Sequence, residues 1–266
     1  MSLRIRNIRS TVFFKRGLLA EHWVYLSPHF DDVALSLGGV VWQHVQNGDR
    51  VEIWTLCGGD PPSGKPLTEF ARSLHAKWQL TDHAPQRRAA EDDAACLRLG
   101  TIHLRFPIPD CIYRFHPKTG KPYVNKEEDL YEPYTNEEFQ LFLETLRSVT
   151  IPPNVNIAVP LGVGDHRDHW LTRASAECLL GELWHYIDYP YAVQTKFNPD
   201  IYIPTLADAR QCSISPAALQ AWQEAVACHQ SQVPIFWKNT GEMAAAIEAY
   251  SHQMRDKFKN AYLWKF

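Results

Sequence analysis

Short apolar runs alternate with amphipathic stretches along the first two thirds of the chain. HWVYLSP (22–28) and RVEIWTLCGG (50–59) have the composition of strands, and DDVALSLGGVVWQHVQNG (31–48) between them has helical spacing. APQRRAAEDDAACLRLG (84–100) predicts a second helix that ends at its glycine, and TIHLRFPIP (101–109) predicts a third strand. The pattern indicates consecutive units of strand, helix and strand.

The same alternation continues towards residue 195. TNEEFQLFLETLRSV (135–149) predicts a helix, NVNIAVPLGV (154–163) a buried strand, and HWLTRASAECLLGEL (169–183) another helix. WHYIDYPYAV (184–193) is a fifth strand-like segment. Strands that alternate with helices predict an α/β fold, in which helices cover both faces of a mostly parallel sheet. In such folds ligands bind beyond the carboxyl ends of the strands.

We expect one domain over residues 1–266, with a core at about 22–195 and a C-terminal extension at about 196–266. The extension contains two predicted helices, in SPAALQAWQEAVACHQSQV and GEMAAAIEAYSHQMRDKFKNA. Residues 107–134 interrupt the alternation and are rich in proline, tyrosine and charge. A loop of this length is usually functional or disordered.

Composition and charge exclude several classes of partner. The 266 residues are 45% hydrophobic and carry a formal charge of −3, without a block of like charge that suits nucleic acid or anionic lipid. The six cysteines form no Cys-x-x-Cys pair. No segment approaches the ~20 apolar residues of a membrane span, and MSLRIRNIRSTVFFKRGLLA at the N-terminus lacks the apolar core of a signal peptide. We therefore expect a cytoplasmic protein with a small polar substrate.

Two polar clusters follow predicted strands. His29, Asp31 and Asp32 stand between the first strand and the first helix, and DHRDH at 165–169 follows the strand in NVNIAVPLGV. Aspartate is common at helix starts simply as a cap, so neither cluster alone is specific. Clusters at two strand ends of a parallel sheet can meet, however, and together they favour a metal site.

A hydrolytic zinc ion takes three nitrogen or oxygen ligands and keeps one position for water, and two histidines and one aspartate meet that demand. With His29 and Asp32 turned towards the ion, Asp31 is left to accept a proton from the zinc-bound water. His166 would stabilise the oxyanion and protonate the leaving amine, and Asp168 would orient or charge His166.

These motifs resemble those of the PIG-L/LmbE-like zinc-dependent N-deacetylases, as Pro28-His29-Phe30-Asp31-Asp32 and His166-Arg167-Asp168-His169. The resemblance implies a Rossmann-like three-layer sandwich and one Zn²⁺ per chain, held by His29, Asp32 and His169. It also implies that Asp31 is the general base. Weaker similarities extend over residues 22–235: Gly38-Gly39, Arg88-x-x-Glu91, Leu99-Gly100, Asp188-Tyr189-Pro190-Tyr191 and Ser231-Gln232.

The sequence departs from the commonest family pattern at two positions. Phe30 stands where proline is usual, and Val33 stands where glutamate is usual, which puts the usual carboxylate behind the metal ligands in doubt. Four residues are candidates for substrate binding. Arg88 matches a family position but also suits a helix-surface pair, and Asp110, Tyr113 and Arg114 lie in the irregular segment, where an ordered surface loop is the alternative.

The leading hypothesis is a zinc-dependent hydrolase that removes an acetyl or acyl group from an N-acyl amino sugar, such as N-acetylglucosamine, or from its conjugate. The ligand set also suits a non-haem iron enzyme, although those usually use a β-barrel, and iron or cobalt could replace zinc. A non-catalytic sugar- or nucleotide-binding module is the third alternative. GGDPPSGK lacks the spacing of a phosphate-binding loop. The oligomeric state stays open, a homo-oligomer included.

Overall fold

The computed structural model describes residues 20–81, 83–195, 197–204 and 207–266, so the basic N-terminal segment considered above lies almost wholly outside the described residues. Within these ranges seven strands form one sheet. They are β1 (His22–Ser27), β2 (Arg50–Thr55), β3 (Ile102–Arg105), β4 (Val155–Pro160), β5 (Trp184–Tyr186), β6 (Asp208–Gln211) and β7 (Ala261–Lys265). Their order is β3-β2-β1-β4-β5-β7-β6, and the first five strands in this order run parallel. The predicted mostly parallel α/β sheet is confirmed.

Helices cover both faces of the sheet, as the alternating pattern predicts. The longer ones are α1 (Asp32–Gln46), α2 (Glu69–Lys77), α3 (Ala84–Leu99), α4 (Asn136–Arg147), α5 (Arg167–Leu179), α8 (Pro216–Cys228) and α10 (Thr240–Phe258). Short helices are α6 (Tyr191–Gln194), α7 (Pro199–Tyr202) and α9 (Val233–Phe236), with 3-10 turns at Cys111–Tyr113 and Glu127–Tyr131. Helices α1, α3, α8 and α10 form one layer, and α4 packs on α5 in the other.

Strand β1 shows why the sheet needs both layers. Successive side chains of a strand point to opposite faces. Trp23 and Tyr25 belong to the core beneath α1, α8 and α10, whereas Val24 and Leu26 belong to the core beneath α4 and α5. All four side chains are buried. The strand is therefore apolar throughout, as expected for a parallel strand covered on both sides.

The strand order places a topological switch between β1 and β4. From β1 the chain moves outward through β2 and β3, and it then returns to β4 on the other side of β1. Crossovers leave the sheet in opposite directions on the two sides of such a point, so a crevice opens beyond the carboxyl ends of the two strands. Both polar clusters identified in the sequence follow these two strands.

The C-terminal extension differs from the helical pair that its apolar pattern predicts. The two helices are present as α8 and α10, but β6 and β7 also extend the sheet in antiparallel orientation. The strand predicted in WHYIDYPYAV is confirmed only over Trp184–Tyr186, after which the chain turns and forms α6. Pro190 has no N–H to donate to a strand ladder, so the strand could not continue through this position.

Helix α2 was not predicted from the sequence. Thr68 caps it by accepting a hydrogen bond from Ala71 N at 3.0 Å. The helix packs with residues of the irregular 107–134 segment in a separate apolar cluster that includes Trp78, Ile112 and Val124. The irregular segment is therefore ordered against α2. No helix in the described part of the chain is long and apolar enough to cross a membrane.

Replacing Gly38 by alanine is expected to lower the free energy of unfolding by about 1–3 kcal/mol, because the new methyl group overpacks the contact between α1 and α8. A Cβ atom at Gly38 would lie 2.5 Å from Cδ1 of Trp222. The fully buried Trp222 ring is also fixed by its N–H, which donates to Ala34 O at 2.8 Å. Urea unfolding measures the change. Gly241→Ala at the exposed start of α10 is the control, with a change within about 1 kcal/mol; equal losses in both variants would contradict the prediction.

Candidate metal centre and surrounding cavity

His29, Asp32 and His169 meet where β1 and β4 end. Asp32 Oδ2 lies 3.1 Å from His29 Nδ1, and Asp32 Oδ1 lies 3.4 Å from His169 Nε2. One ligand atom from each residue can be chosen so that all three lie within 4.8 Å of one another. All three residues are buried. The structure therefore brings together the three residues predicted as metal ligands.

Local backbone contacts fix the first cluster. Ser27 Oγ donates to the carbonyl oxygen of His29 at 2.6 Å, and His29 N donates to Asp32 Oδ2 at 2.7 Å. Asp32 is also the first residue of α1, where the positive end of the helix dipole stabilises a carboxylate. The Pro-His-x-Asp-Asp spacing thus places one histidine and one aspartate at the same point beyond the strand.

Each of the two histidines is held by a carboxylate on its far ring nitrogen. His29 Nε2 lies 3.1 Å from Asp168 Oδ2, and His169 Nδ1 lies 2.5 Å from Asp188 Oδ1. This leaves His29 Nδ1 and His169 Nε2 on the side of Asp32. His169 Nε2 is buried and has no hydrogen-bond partner among the described residues. A divalent cation between the three residues would satisfy that nitrogen, so the donor set fits a metal ion.

The charges around the three residues also favour a cation. Burial opposes protonation of His29, but the carboxylates of Asp110 and Asp32 outweigh it and hold the pKa of His29 well above its ordinary value. Burial likewise opposes protonation of His169, and Asp32 nevertheless raises the pKa of His169 to about 9. Burial alone would raise the pKa of Asp32, yet the two histidines hold it well below its ordinary value. The site stabilises positive charge, as a metal centre requires.

Two overlapping groups of potential ligands surround Asp168: His29 with Cys57, and Asp110 with Cys111. Their thiols fit a metal less well. Burial, followed by the charge of Asp168, raises the pKa of both Cys57 and Cys111 well above the ordinary thiol value. The Asp168 carboxylate is moreover paired with Arg114 at 2.5 Å. A thiolate is the form that binds metal, and these two thiols are disfavoured as thiolates.

Asp31 lies beside the three residues and pairs with Arg88. Arg88 Nη2 donates to Asp31 Oδ1 at 3.1 Å, and Arg88 Nη1 lies 3.4 Å from Asp110 Oδ2. The guanidinium carbon is 4.9 Å from the centre of the Trp78 ring and 5.5 Å from that of Phe30. The aromatic ring at position 30, where the family usually has proline, therefore supports the arginine that orients Asp31.

His166 faces the same cavity from the start of α5. Its ring centroid is 5.0 Å from that of His29 and 5.1 Å from that of His169. Burial is the largest cause that lowers the pKa of His166 well below the ordinary value, followed by the charges of the two neighbouring histidines. His166 Nδ1 accepts a hydrogen bond from the Asp168 N–H at 3.2 Å. A neutral His166 therefore carries its proton on Nε2.

The expected contact of Asp168 with His166 differs in the structure. The backbone N–H of Asp168, not its carboxylate, contacts the His166 ring. The carboxylate instead binds Arg114 and His29 and accepts the Cys111 N–H at 3.1 Å. Asp168 begins the turn of helix that follows His166, so its side chain projects to the opposite side. Its direct effect is on the orientation of His29.

Two of the four residues expected to bind substrate do not line the cavity. Arg114 is buried, and its guanidinium donates to Glu138 at 2.9 Å as well as to Asp168. Its positive charge stabilises these two buried carboxylates. Tyr113 is buried against α2, and its hydroxyl lies 2.5 Å from His75 Nε2. Arg88 and Asp110 do line the cavity, as expected.

The cavity has a volume of about 320 Å³ and combines a polar end with apolar walls. The polar end contains the clustered histidines and aspartates. The apolar walls come from elements far apart in the chain: Leu35, Phe70, Leu74, Trp78, Ile112, Leu130, Tyr131, Pro190, Tyr191, Ile235 and Phe236. Sequence reasoning missed these walls and also missed the contact of Asp188 with His169, although Asp188-Tyr189-Pro190-Tyr191 stood out as a weak family similarity.

The chain is similar to several known deacetylases. The 2'-N-acetylparomamine deacetylase of Niallia circulans is 28% identical over 187 residues, which cover 64% of this chain and 67% of the relative. The structure of the zinc-inhibited form of teicoplanin deacetylase Orf2 matches with a TM-score of 0.72 at 22% identity, covering 92% of this chain and 97% of that one. A deacetylase–bog complex from the teicoplanin pathway matches with a TM-score of 0.73 at 24% identity and the same coverage. These two structures support the fold.

The family of the chain is shown by a match to a protein-family model. The model described as PIG-L, GlcNAc-PI de-N-acetylase, matches residues 24–178. This range begins in β1, ends in α5 and contains both polar clusters. Because the match covers more than half of the chain, the chain belongs to the PIG-L family.

Proposed function

We propose that this protein is a metal-dependent hydrolase that removes an acetyl or other acyl group from the amide nitrogen of an N-acyl amino sugar or its conjugate. The observation that carries the proposal is the cluster of His29, Asp32 and His169 beside two further titratable groups, Asp31 and His166, in one cavity. The deacetylase names of the relatives support the reaction class. The small formal charge suits a neutral or modestly charged substrate.

In this proposal His29, Asp32 and His169 hold one divalent ion, with zinc as the default. A bound zinc ion supplies Lewis acidity, which lowers the pKa of water to about 7 and polarises a carbonyl group. Asp31 accepts the proton of the attacking water, and Arg88 keeps the Asp31 carboxylate oriented through their 3.1 Å contact. General-base catalysis by a positioned carboxylate contributes about 10²–10⁴-fold to such reactions.

His166 is proposed to act on the other side of the scissile amide. As a neutral imidazole with its proton on Nε2, it donates a hydrogen bond to the developing oxyanion and keeps that proton throughout. The Asp168 N–H fixes this tautomer by donating to Nδ1. Cleavage then balances: the C–N bond breaks, the acyl carbon gains the water oxygen, and Asp31 passes the proton that it took from the water to the leaving amine.

The decisive experiment measures acetate release from N-acetylglucosamine and a panel of its conjugates by protein of known metal content. We expect about one divalent ion per chain and turnover that stops on chelation and returns with added metal. Zinc should be titrated past one equivalent, because one structural neighbour was determined in a zinc-inhibited form. Binding of metal without acetate release from any substrate would favour a binding module, and activity that depends on oxygen and ferrous iron would favour the iron enzyme.

Replacing Asp188 by asparagine is expected to weaken metal binding about 10–100-fold while leaving the ligands in place. Asp188 accepts a hydrogen bond from His169 Nδ1 and from Val163 N, at 2.5 and 2.9 Å, and thereby fixes the ring. An asparagine can retain the contact with the backbone but not the charge. Competition with a chelator measures the affinity. Unchanged affinity in Asp188→Asn would show that the contact is structural only.

A further inference from the structure

His229 is a buried histidine outside the group of metal ligands. It directly follows α8 and is 1% exposed, and neither of its ring nitrogens has a hydrogen-bond partner among the described residues. Its backbone is fixed, since His229 N donates to Val226 O at 3.0 Å and His229 O accepts from Val233 N at 3.0 Å. Buried polar groups nearly always have a partner, and a neutral imidazole offers one donor and one acceptor. The His229 ring therefore indicates a bound partner that is not a protein side chain.

The segment that contains His229 is held against α3 beside the proposed general base. Ser231 donates to Glu91 through its N–H at 3.1 Å and through its hydroxyl at 2.6 Å. Arg88 lies three residues before Glu91, on the same face of the helix. Burial is the largest cause that lowers the pKa of His229, and among the charges that act on the ring that of Asp31, which opposes the shift, is the strongest. His229 is thus a neutral imidazole close to the pair of Asp31 and Arg88.

Arg88 has one donor without a partner. Its Nη2 and Nη1 donate to Asp31 and Asp110 at 3.1 and 3.4 Å, whereas Nε is buried and unpaired within the described part of the chain. The 3.4 Å contact is longer than an ordinary N–H···O hydrogen bond, so the two contacts alone fix the guanidinium plane weakly. A guanidinium N–H can only donate, and one nitrogen of a neutral imidazole can accept. The unpaired groups of Arg88 and His229 are therefore complementary.

We propose that one buried water joins Arg88 Nε to a ring nitrogen of His229, and that His229 is thereby a positioning residue for Asp31. The water accepts the Nε–H and donates to the imidazole, and its second hydrogen is available to a carboxylate such as Asp92, whose charge also acts on His229. Buried waters typically make about three hydrogen bonds of this kind. The inference rests on the proposed function, because its effect on the reaction passes through the Asp31 carboxylate that Arg88 orients.

Replacing His229 by leucine removes the acceptor and largely keeps the volume. We expect kcat to fall about tenfold, with KM within about twofold and the metal content at the wild-type level, because only the orientation of Asp31 is disturbed. Asparagine and glutamine place an amide near the positions of Nδ1 and Nε2, so His229→Asn or His229→Gln should restore kcat to within about threefold of wild type. His44→Leu is the matched control, since His44 is also buried but bonds Tyr25, and it should leave kcat unchanged.

The coupling with Arg88 separates positioning from a general disturbance of the fold. In the Arg88→Ala background the water has no guanidinium to orient, so adding His229→Leu should lower kcat by less than about twofold more. Losses that multiply in the double variant would overturn the inference. An unchanged kcat in His229→Leu, together with a higher urea midpoint of unfolding, would also overturn it, because leucine is more stable in a core than an imidazole without partners.

A crystal structure of the metal-loaded protein separates this inference from the proposed function. Density for a water within hydrogen-bond distance of Arg88 Nε and of one His229 nitrogen would support the bridge. If the wild type then released no acetate from any substrate, the deacetylase proposal would fail and the bridge would stand. Density for a different partner on Arg88 Nε, or for a His229 ring turned away from it, would overturn the bridge whatever the turnover.

Discussion

Asp31→Asn is expected to lower kcat about 10²–10⁴-fold while the bound metal stays at the wild-type level. Asparagine has nearly the shape of aspartate and can keep a hydrogen bond to Arg88, but it cannot take a proton from water. Because Asp32 lies between His29 and His169, Asp31 is the carboxylate that stays available as the general base. A residual rate is expected, because metal binding and the His166 contacts are unaffected.

Metal analysis, steady-state kinetics and urea unfolding on the same preparation check this result. Asp256→Asn, an exposed carboxamide substitution on α10, is the control and should retain full activity. Wild-type turnover by Asp31→Asn with full metal content would rule out Asp31 as the general base. Loss of metal together with activity would instead mean that Asp31 is a metal ligand.

The two clusters could be predicted from the sequence because their position is local. Each follows an apolar strand directly and opens a helix, so the sheet architecture alone brings His29 and His169 to the same crevice. The contacts behind the ligands depend on tertiary structure. Asp188 reaches His169 from the turn after β5, and no spacing rule connects the two. The family pattern suggested a missing carboxylate at Val33, while the structure supplies carboxylates from Asp168 and Asp188 instead.

The residues that contact the cavity could likewise be predicted only in part from the sequence. Asp110 and Arg88 reach the cavity, whereas Arg114 lies inside a buried chain of charges. Whether an arginine in an irregular segment faces ligand or core depends on carboxylates that approach it from other elements, here Asp168 and Glu138. Burial of two carboxylates without a cation costs free energy, so the arginine side chain is stabilised in the core beside them. The sequence shows the charge of the arginine but not its partners.

His169→Ala is expected to abolish both metal binding and turnover, which is the second large effect. Two protein ligands remain, His29 and Asp32, and hydrolytic zinc sites need three. The substitution also leaves Asp188, which is 1% exposed, without its histidine partner. An unsatisfied buried polar group costs about 1–3 kcal/mol, so some loss of stability accompanies the loss of metal.

The matched control is His166→Ala, at the residue that precedes the same helix, which is similarly buried. Because His166 is proposed to act on the amide and not on the ion, this variant should keep about one metal ion per chain and still lose about 10²–10⁴-fold in kcat. Added imidazole should restore metal to His169→Ala, since the deleted ring leaves a space beside Asp188 that a free imidazole can fill. Metal retained by His169→Ala without imidazole, or lost equally by both variants, would contradict the ligand assignment. If His169 is a ligand, His169→Ala loses the metal and regains it with imidazole. If His166 is not a ligand, His166→Ala keeps the metal and loses only turnover.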